Sequence, residues 1–506
     1  MNKIHPALQA ALLAFGIAGV FYWAQSGMRL DFSDEGFLWY GALHTRLGEF
    51  PLRDFQSYDP GRYYWCAALS FLFGMGLSGL RLAVSVFQGL CLWLGFLAMH
   101  RSIKQSVFLA LVGILSALWM LYYFQYFDAG IVLAAVFFAV RLAEDFSLAR
   151  CFQAGLACAF AIWIGINHGL YVTLAFTFLL FFCFWKQAVR EPRKAIGFFV
   201  LGILTGLLPL VVFCLSVSGF FESYRNWIFY CLGRLAHGMK DIAVRKSTDP
   251  VFWDQRVMFA TVLLSYLFLL REVLRLKKEA LHENAALVGS FFVGAAYLHQ
   301  IYSRKEMIHL GQAIFPLFAA LFVLATSSSS VARRHFAWFL IAALSVLTLQ
   351  IALPATNLGF WWRVPKSELV SYSVGQDRIW ISSANAKILD TVKRLVNENV
   401  PQDRTLLIAP LLTTFYPFLE KPSPVWEIYF NFYQPEAVQR KMIAQLEEKR
   451  VDWVLLGPLN ALGREEAFFT NTHAALWDYL KTNFEPLPDS GLPPGYFFLK
   501  RIKVSP

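Results

Sequence analysis

An adjacent pair of acids, Asp34 and Glu35, follows the first apolar span of the chain, within the stretch from Asp31 to Trp65. A charged side chain costs roughly 2.5–3.5 kcal/mol at the centre of a membrane helix and less near the interface, so an acid pair here indicates a functional site. A positioned carboxylate can act as a general base and typically contributes about 10²–10⁴-fold to a rate. The structural alternative is that the two acids cap a helix beginning near Gly36.

A second candidate acid, Asp128, lies in the sequence YYFQYFDAG, at the turn between the third and fourth apolar spans. An Asp among aromatic and apolar neighbours is costly beside lipid, which favours a position facing a polar cavity. We expect Asp128 to share a site with Asp34, because the two residues are predicted on the same side of the membrane. As an alternative, Asp128 would be the N-cap of the fourth span.

Basic residues at the start of the tenth apolar span form a candidate anion site. Arg304, Lys305 and His309 lie there, on the side where positive charge is disfavoured, and a guanidinium can hold two phosphate oxygens at once. The alternative is attraction to anionic lipid headgroups. The basic segment 219–256 either borders the same cavity or is a plain surface loop. We interpret His168, between the fifth and sixth spans, as a packing or hydrogen-bonding residue.

The composition is that of a membrane protein, with 57% hydrophobic and 16% charged residues, whereas soluble domains have about 25% charged residues. The net charge of +11 arises mostly in short loops between apolar spans, where basic residues set the orientation of the chain. No basic patch with interleaved aromatic residues points to a nucleic-acid partner. The seven cysteines lie in or beside apolar runs without the paired spacing of a zinc or redox site, which predicts packing roles.

Eleven apolar spans alternate with polar loops, and a cytoplasmic N-terminus makes every expected inside loop basic, as the positive-inside rule requires. This orientation puts the Asp34 loop, the Asp128 turn and the C-terminal tail outside. The first span has no convincing cleavage site before Asp31, so we expect a membrane anchor rather than a signal peptide. The spans are residues 7–27, 80–100, 107–123, 129–141, 151–166, 170–185, 195–218, 257–271, 284–301, 308–326 and 336–354.

The C-terminal part has frequent charges, and its helix-like segments alternate with short β-like runs at 405–410, 452–457 and 496–501. This alternation predicts a small α/β domain. We therefore predict two domains, which are a transmembrane domain over 1–355, with a first outer loop at 28–79, and an extracytoplasmic α/β domain over 356–506. The apolar run 63–79 is predicted to lie at the membrane surface, or else to be a further span.

Together these features resemble the GT-C superfamily of membrane glycosyltransferases, in particular the protein O-mannosyltransferase-like and aminoarabinose-transferase-like bacterial enzymes. The resemblance covers about residues 1–355 and rests on the order and sidedness of three short motifs. It implies an α-helical polytopic membrane protein with about 11–13 transmembrane helices and a small C-terminal α/β extracytoplasmic domain. The motifs are the acid pair with its following Tyr and Pro segment (Asp34, Glu35, Tyr40, Asp54, Asp59, Pro60, Tyr63), the Asp128 turn, and the segment of Arg304, His309 and Pro316.

The resemblance also implies an activity. A sugar would pass from a polyprenyl-phosphate donor to an acceptor hydroxyl, with inversion, at the outer face of the bacterial cytoplasmic (inner) membrane. Asp34 would be the catalytic base, with Glu35 and Asp128 as further acids of the site. The sugar stays open, and so does the acceptor, which would be a lipid, a polysaccharide or a protein. A divalent cation is permitted but not required, since some members of the superfamily need one and others do not.

The chain departs from the aminoarabinose-transferase pattern at the expected donor-phosphate site. That family has a Lys-Pro-Pro segment in the first loop, whereas this sequence reads YDPGR over residues 58–62 and has no lysine there. The resemblance therefore implies a phosphate site formed by Arg62 with Tyr63, or by Arg304 and Lys305 with His309.

The sequence leaves three alternative functions to consider. A transporter or lipid flippase would have ionisable residues near the middle of the membrane and broken helices in symmetric halves, whereas the acids here cluster at the outer ends of the spans. A cell-envelope polysaccharide polymerase or ligase stays open because of the basic segment 219–256. A non-catalytic scaffold that displays the outer domain is the remaining alternative.

Overall fold

The computed structural model describes residues 5–120, 127–238, 250–304, 307–460, 465 and 468–502, with side chains at 231–238, 250–255, 300–304, 307–309 and 355 outside the description. Over these residues the chain is mainly helical. The helices are α1 (Pro6–Gln25), α2 (Asp34–Arg46), α3 (Pro60–Phe73), α4 (Leu77–Met99), α5 (Ser106–Met120), α6 (Asp128–Glu144), α7 (Leu148–Ile164), α8 (Ile166–Trp185), α9 (Pro192–Ser216), α10 (Phe220–Gly238), α11 (Pro250–Leu274), α12 (Ala285–Arg304), α13 (Met307–Ser327), α14 (Val331–Ala355), α15 (Asn357–Arg363), α16 (Ser383–Asn399), α17 (Phe415–Phe418), α18 (Glu436–Glu448), α19 (Phe469–Thr472) and α20 (Ala474–Asn483).

Each of the eleven apolar spans expected from the sequence coincides with a helix. Lipid offers no hydrogen-bond partners to the backbone, so an apolar segment that crosses it must satisfy its own N–H and C=O groups, as a helix does. Within the described part of the chain, α1, α4, α8, α9, α11, α13 and α14 are long and apolar enough to span a membrane, and α5, α7 and α12 are shorter apolar helices. The chain is a multi-pass membrane protein, as predicted.

By its contacts the chain divides into two compact units. The helical unit consists of Met1–Ser26 and Arg81–Arg363, and the mixed unit consists of Gly27–Leu80 and Val364–Pro506. The first loop therefore belongs to the same compact unit as the C-terminal segment. The two domains predicted from composition, 1–355 and 356–506, divide the sequence into consecutive segments, whereas each compact unit combines two separate segments. The predicted domains therefore stay a prediction.

Small residues let helices of the helical unit approach closely. A Cβ atom added to Gly155 of α7 would lie 2.1 Å from the carbonyl oxygen of Phe199 in α9. A Cβ added to Gly202 would lie 2.1 Å from the carbonyl oxygen of Phe152. Membrane helices gain contact area in this way, because small side chains bring the two backbones together where lipid provides little hydrophobic drive.

Two acids with little exposure pair with basic residues in or beside the loops that the sequence predicts to be inside. Glu144, at the end of α6, lies 2.5 Å from Arg141 and 3.1 Å from Arg101. Glu272 of α11 is buried and lies 3.0 Å from Nη1 of Arg333, at the start of α14. The Glu272–Arg333 pair joins the ends of two helices, and the Arg101–Glu144 pair joins the connection after α4 to the end of α6; a charged group left alone there would be costly.

The mixed unit contains a β-hairpin and a four-stranded sheet. The hairpin strands β1 (Leu369–Val374) and β2 (Asp377–Ser382) are antiparallel. The sheet has the order β3-β4-β6-β5, with β3 parallel to β4 and the other neighbours antiparallel. Its strands are β3 (Leu407–Ala409), β4 (Trp453–Leu456), β5 (Phe484–Pro486) and β6 (Phe497–Arg501). Helices α18 and α20 cover it with the apolar side chains of Leu446, Leu476 and Leu480.

The small C-terminal domain with helices and strands is confirmed, and β3, β4 and β6 lie within the three β-like runs. The interpretation of 219–256 as a loop is wrong for most of that segment, since α10 occupies 220–238 and α11 begins at Pro250. The charged residues of α10 suggested a surface loop, although they alternate with aromatic residues at the spacing of an amphipathic helix. The 63–79 run is covered mostly by α3, which has 14 residues, ends at Phe73 and is capped by Gly74. It is shorter than the ~20 residues of a spanning helix.

Candidate functional site

The first outer loop contains a turn at Asp31, three residues before the acid pair. Oδ1 of Asp31 accepts hydrogen bonds from the backbone N–H of Ser33 at 2.8 Å and from its hydroxyl at 2.9 Å. Short polar side chains commonly form turns of this kind just before a helix. Helix α2 then begins at Asp34, so Asp34 and Glu35 both lie in its first turn, where the helix dipole favours negative charge.

Asp34, the predicted base, is partly exposed, and its carboxylate accepts a hydrogen bond from a distant tyrosine. The hydroxyl of Tyr429 donates to Oδ1 of Asp34 at 2.5 Å, and the tyrosine ring packs on Phe37, with 5.2 Å between the centroids. Hydrogen bonds to an ionised acceptor are shorter and stronger than neutral ones. This contact therefore fixes the orientation of the Asp34 carboxylate.

Glu35 differs from Asp34 in its surroundings, because it is only 3% exposed. Its Oε2 atom accepts a long hydrogen bond, 3.5 Å, from the backbone N–H of Asp31. That contact links the first turn of α2 to the preceding loop, which suits a structural part in the site. A catalytic part for Glu35 stays a prediction.

A short segment of the C-terminal region lies directly against the first loop. Oε1 of Gln56 accepts hydrogen bonds from the backbone N–H groups of Ile428 and Tyr429, at 2.9 and 2.8 Å. The backbone N–H of Gln56 donates to the carbonyl oxygen of Trp426 at 2.8 Å, and the indole N–H of Trp426 donates to the carbonyl oxygen of Leu52 at 3.0 Å. These four hydrogen bonds, together with the bond from Tyr429 to Asp34, fix residues 426–429 to the loop.

The start of α2 is also bonded to residues 413 and 414. The backbone N–H of Thr414 donates to the carbonyl oxygen of Phe32 at 3.1 Å, and its hydroxyl donates to that of Asp31 at 2.6 Å. Gly36 makes this approach feasible, because a Cβ atom there would lie 2.1 Å from the backbone nitrogen of Thr414. Any larger side chain at position 36 would push the two segments apart.

The predicted phosphate-site residues of the first loop are both buried. Arg62 is 8% exposed, and its guanidinium lies over the ring of Tyr58, 5.1 Å from the centroid. Tyr63 is fully buried, and its hydroxyl accepts a hydrogen bond from the backbone N–H of Tyr58 at 3.0 Å. Both residues lie in the first turns of α3, within the mixed unit. A substrate contact by either one stays a prediction.

Asp128 lies in the helical unit and belongs to a polar network at the ends of four helices. It is the first residue of α6, so it is not the N-cap considered above. Its Oδ1 atom lies 3.1 Å from Nε2 of His168 in α8, and Oδ2 accepts a hydrogen bond from Nε2 of Gln312 in α13 at 3.3 Å. His168 is also hydrogen-bonded to Tyr297 of α12, at 3.0 Å. The network continues with the bond of Tyr171 to His299, at 3.2 Å.

His168 is therefore the buried, hydrogen-bonded histidine that we expected, and its contact with Asp128 adds an interaction that the sequence did not indicate. Asp34 lies in the mixed unit, whereas Asp128 lies in the helical unit. A site shared by the two acids stays a prediction.

The second predicted anion site, at Arg304, Lys305 and His309, falls outside the residues and side chains that the structure describes. Where side chains are described, no group of three or more His, Cys, Asp or Glu residues is arranged to hold a metal ion.

Sequence reasoning missed the part of Gln56 within the first loop, and it missed Thr414 and Tyr429, which contact that loop from far along the chain. The bond from Tyr429 to Asp34 joins residues 395 positions apart. The one signal in the sequence is the run of aromatic residues in WEIYFNFY, over 426–433, within a region otherwise rich in charge. Aromatic residues in such a setting indicate a buried contact with another segment.

Comparison with known proteins gives a match in structure only. No family model matches the sequence, and no curated protein matches it. The crystal structure of ArnT from Cupriavidus metallidurans bound to undecaprenyl phosphate is similar, with a TM-score of 0.53 and 13% identity over 98% of this chain and 99% of that chain. The apo structure of the same protein has a TM-score of 0.55 and 14% identity, over 97% of each chain. At these identities the likeness shows the fold alone: this chain shares the fold of ArnT, and its helical membrane architecture with a small C-terminal sheet agrees with the fold class predicted from the sequence.

Proposed function

We propose that this protein is a glycosyltransferase that moves a sugar from a polyprenyl-phosphate donor to an acceptor hydroxyl. The observation that supports this most directly is the likeness, over 98% of the chain, to ArnT solved with undecaprenyl phosphate bound. The first-loop acid pair supports it independently, since it supplies a carboxylate at the start of a helix. The reaction takes place at the outer face of the bacterial cytoplasmic membrane, where the acid loop and the C-terminal region are predicted to lie.

The carboxylate of Asp34 acts as the base. It takes the proton of the acceptor hydroxyl while the acceptor oxygen forms a bond to the anomeric carbon of the donor sugar. The bond between that carbon and the phosphate oxygen breaks at the same time, and the polyprenyl phosphate leaves with the electron pair. A single displacement of this kind inverts the anomeric centre, as in base-assisted glycoside hydrolysis with inversion.

Positive charge near the leaving phosphate lowers the barrier, because negative charge develops on that group in the transition state. Arg62, with Tyr63 beside it, is the first-loop candidate for this part, and Arg304 with Lys305 and His309 is the alternative. Glu35 supports the start of α2, and Asp128 is a further acid of the site. The sugar is a hexose or a pentose, and the acceptor hydroxyl belongs to a lipid, a polysaccharide or a protein.

The test is turnover of defined donors by the purified full-length protein in lipid nanodiscs. Polyprenyl-phosphate sugars are supplied with candidate acceptors, and the release of polyprenyl phosphate is followed over time. We expect Asp34→Asn to reduce the rate by about 10²–10⁴-fold. Asp54→Asn is the matched control, because Asp54 lies in the same loop but pairs at the surface with Arg53, at 2.8 Å.

Full transfer activity in a correctly inserted Asp34→Asn protein would show that Asp34 is not the base. Absence of turnover with every donor, in a wild-type protein that is folded and inserted, would contradict the proposed reaction. That result would favour a polysaccharide polymerase or ligase, or a transporter.

A further inference from the structure

We propose that Tyr429 is a positioning residue for the Asp34 carboxylate, so that the C-terminal region supplies part of the active site. This inference rests on the proposed function of Asp34. Its basis is the 2.5 Å hydrogen bond from the hydroxyl of Tyr429 to Oδ1 of Asp34. A short bond to a carboxylate oxygen restricts rotation of that carboxylate about its last side-chain bond, and a general base requires such a fixed orientation.

The tyrosine can fix the carboxylate because its own backbone is fixed to the first loop. Gln56 is buried, and its side-chain amide bonds to both backbone groups of Tyr429, the N–H and the carbonyl oxygen. Oε1 of Gln56 accepts from the backbone N–H of Tyr429 at 2.8 Å, and Nε2 donates to the carbonyl oxygen of Tyr429 at 3.3 Å. The loop that carries Asp34 thus also holds the residue that orients it.

The nearby residue Glu427 packs the same segment against the C-terminal core. Glu427 and His473 are both fully buried, and Oε1 of the glutamate lies 3.4 Å from Nε2 of the histidine, without the alignment of a hydrogen bond. The His473 ring packs between Phe430 and Phe469, with centroid distances of 5.2 and 5.3 Å. Because the segment is attached at both Gln56 and His473, Tyr429 has little freedom to follow a displaced Asp34.

The phenol hydroxyl contributes by orientation and by stabilising the ionised carboxylate, while the ring contributes by packing on Phe37. Loss of the hydroxyl should therefore lower kcat and leave the binding of the donor nearly unchanged. A hydrogen bond to a charged group is strong enough for a decrease of about 10- to 100-fold in kcat. The acid limb of the pH profile should also move to higher pH, since the carboxylate loses a donor that favours its charged form.

The experiment compares Tyr429→Phe with two tyrosine controls in the full-length protein. Tyr433→Phe removes a hydroxyl from a residue that is 68% exposed in the same region. Tyr416→Phe removes a buried hydroxyl that accepts a hydrogen bond from the backbone of Ile408 at 3.0 Å and so has a structural part. We measure four quantities for each single variant. They are kcat, the KM for the donor, the acid limb of the pH profile between pH 4 and 7, and the melting temperature.

We expect Tyr429→Phe to combine a decreased kcat and a shifted acid limb with an unchanged KM and a melting temperature within about 3 °C of wild type. Neither control should show this combination. Wild-type kcat in Tyr429→Phe would overturn the inference, and so would parallel losses of kcat and melting temperature like those of Tyr416→Phe. Neither result would affect the proposed function, which depends on the Asp34→Asn result. If Asp34→Asn kept full activity, both the proposed base and this inference would be wrong.

Discussion

Nε2 of His168 lies 3.1 Å from Oδ1 of Asp128, at the N-terminal ends of α8 and α6. The histidine is fully buried, and the two atoms are close without the alignment of a hydrogen bond. The pair joins two helices of a membrane-spanning unit, where an ionisable group is costly unless it is compensated. It therefore contributes to helix association in addition to any part that Asp128 has in the site.

Substitution His168→Ala should lower the stability of the helical unit by about 1–3 kcal/mol, because the buried hydrogen bond to Tyr297 and the contact with Asp128 are both lost. Thermal unfolding of the detergent-solubilised protein measures this. Phe178→Ala is the control on the same helix, since Phe178 is 53% exposed on the apolar surface of α8. Equal melting temperatures for His168→Ala and the control would show that the pair has no stabilising effect.

The buried pair of Glu427 and His473 should also be sensitive to loss of one partner. Because the remaining polar group stays buried without its neighbour, each loss should cost about 1–3 kcal/mol. We expect Glu427→Met and His473→Leu each to be strongly destabilising, and the double variant to be less destabilised than the sum of the two. Thermal melting of the three proteins tests this, and strictly additive losses would contradict the direct contact.

Gly36 should not accept a side chain. In Gly36→Ala the new Cβ would overlap the backbone of Thr414, so the segment must move away from the start of α2. We expect a loss of about 1–3 kcal/mol in stability, typical of overpacking, together with decreased transfer activity. Gly19→Ala in α1 is the control, since a Cβ there has open space around it. Wild-type activity and melting in Gly36→Ala would show that the two segments separate without consequence.

Acid should weaken the mixed unit partly through Glu447. A hydrogen bond from the hydroxyl of Tyr479 lowers the pKa of Glu447 below its usual 4.5, against the opposing effect of burial, and Arg501 at 3.1 Å lowers it further. A depressed pKa in the folded protein stabilises the fold above the unfolded-state pKa. This contribution is lost as the pH falls through the lower, folded-state value.

Glu447→Gln should therefore flatten the decrease in stability between about pH 5 and pH 3. Amide hydrogen exchange of the peptides that contain β4 and β6 measures this locally, since Arg501 lies in β6. Glu436→Gln is the control on the same helix, because Glu436 pairs with Arg440 at the exposed surface. If the variant and the wild-type protein lost protection in parallel, the pairing of Glu447 would not contribute to acid stability.

The helices of the membrane region could be predicted well, because a long apolar run has few ways to satisfy its backbone in lipid. The C-terminal strands were predicted where three or more apolar residues follow each other, as in TLLIAP and DWVLLG. The hairpin of β1 and β2 was missed, although its strands alternate polar and apolar residues, as half-buried strands do, and its turn centres on Gly375. Helix α10 was missed because its charges resemble those of a loop.

Only part of the candidate site could be predicted, because some of its residues contact each other across several hundred positions of the sequence. Asp34 and Glu35 are adjacent and follow an apolar span, so their unusual position can be read locally. Gln56 and Tyr429 are ordinary residues in sequence, and their importance arises from hydrogen bonds between segments more than 370 residues apart. Nothing in local composition or periodicity specifies such a pairing.

The interleaving of the mixed unit has a consequence for its biosynthesis. Helix α2 is made early, whereas Thr414 and Tyr429 follow only after nearly 400 further residues. At usual elongation rates this interval lasts roughly 20–80 s. During that time most of the helical unit is synthesised, while the first loop still lacks the segments that bond to it. Assembly of the first loop with these segments is therefore a late event in synthesis, and premature termination anywhere before residue 414 leaves the Asp34 loop without these partners.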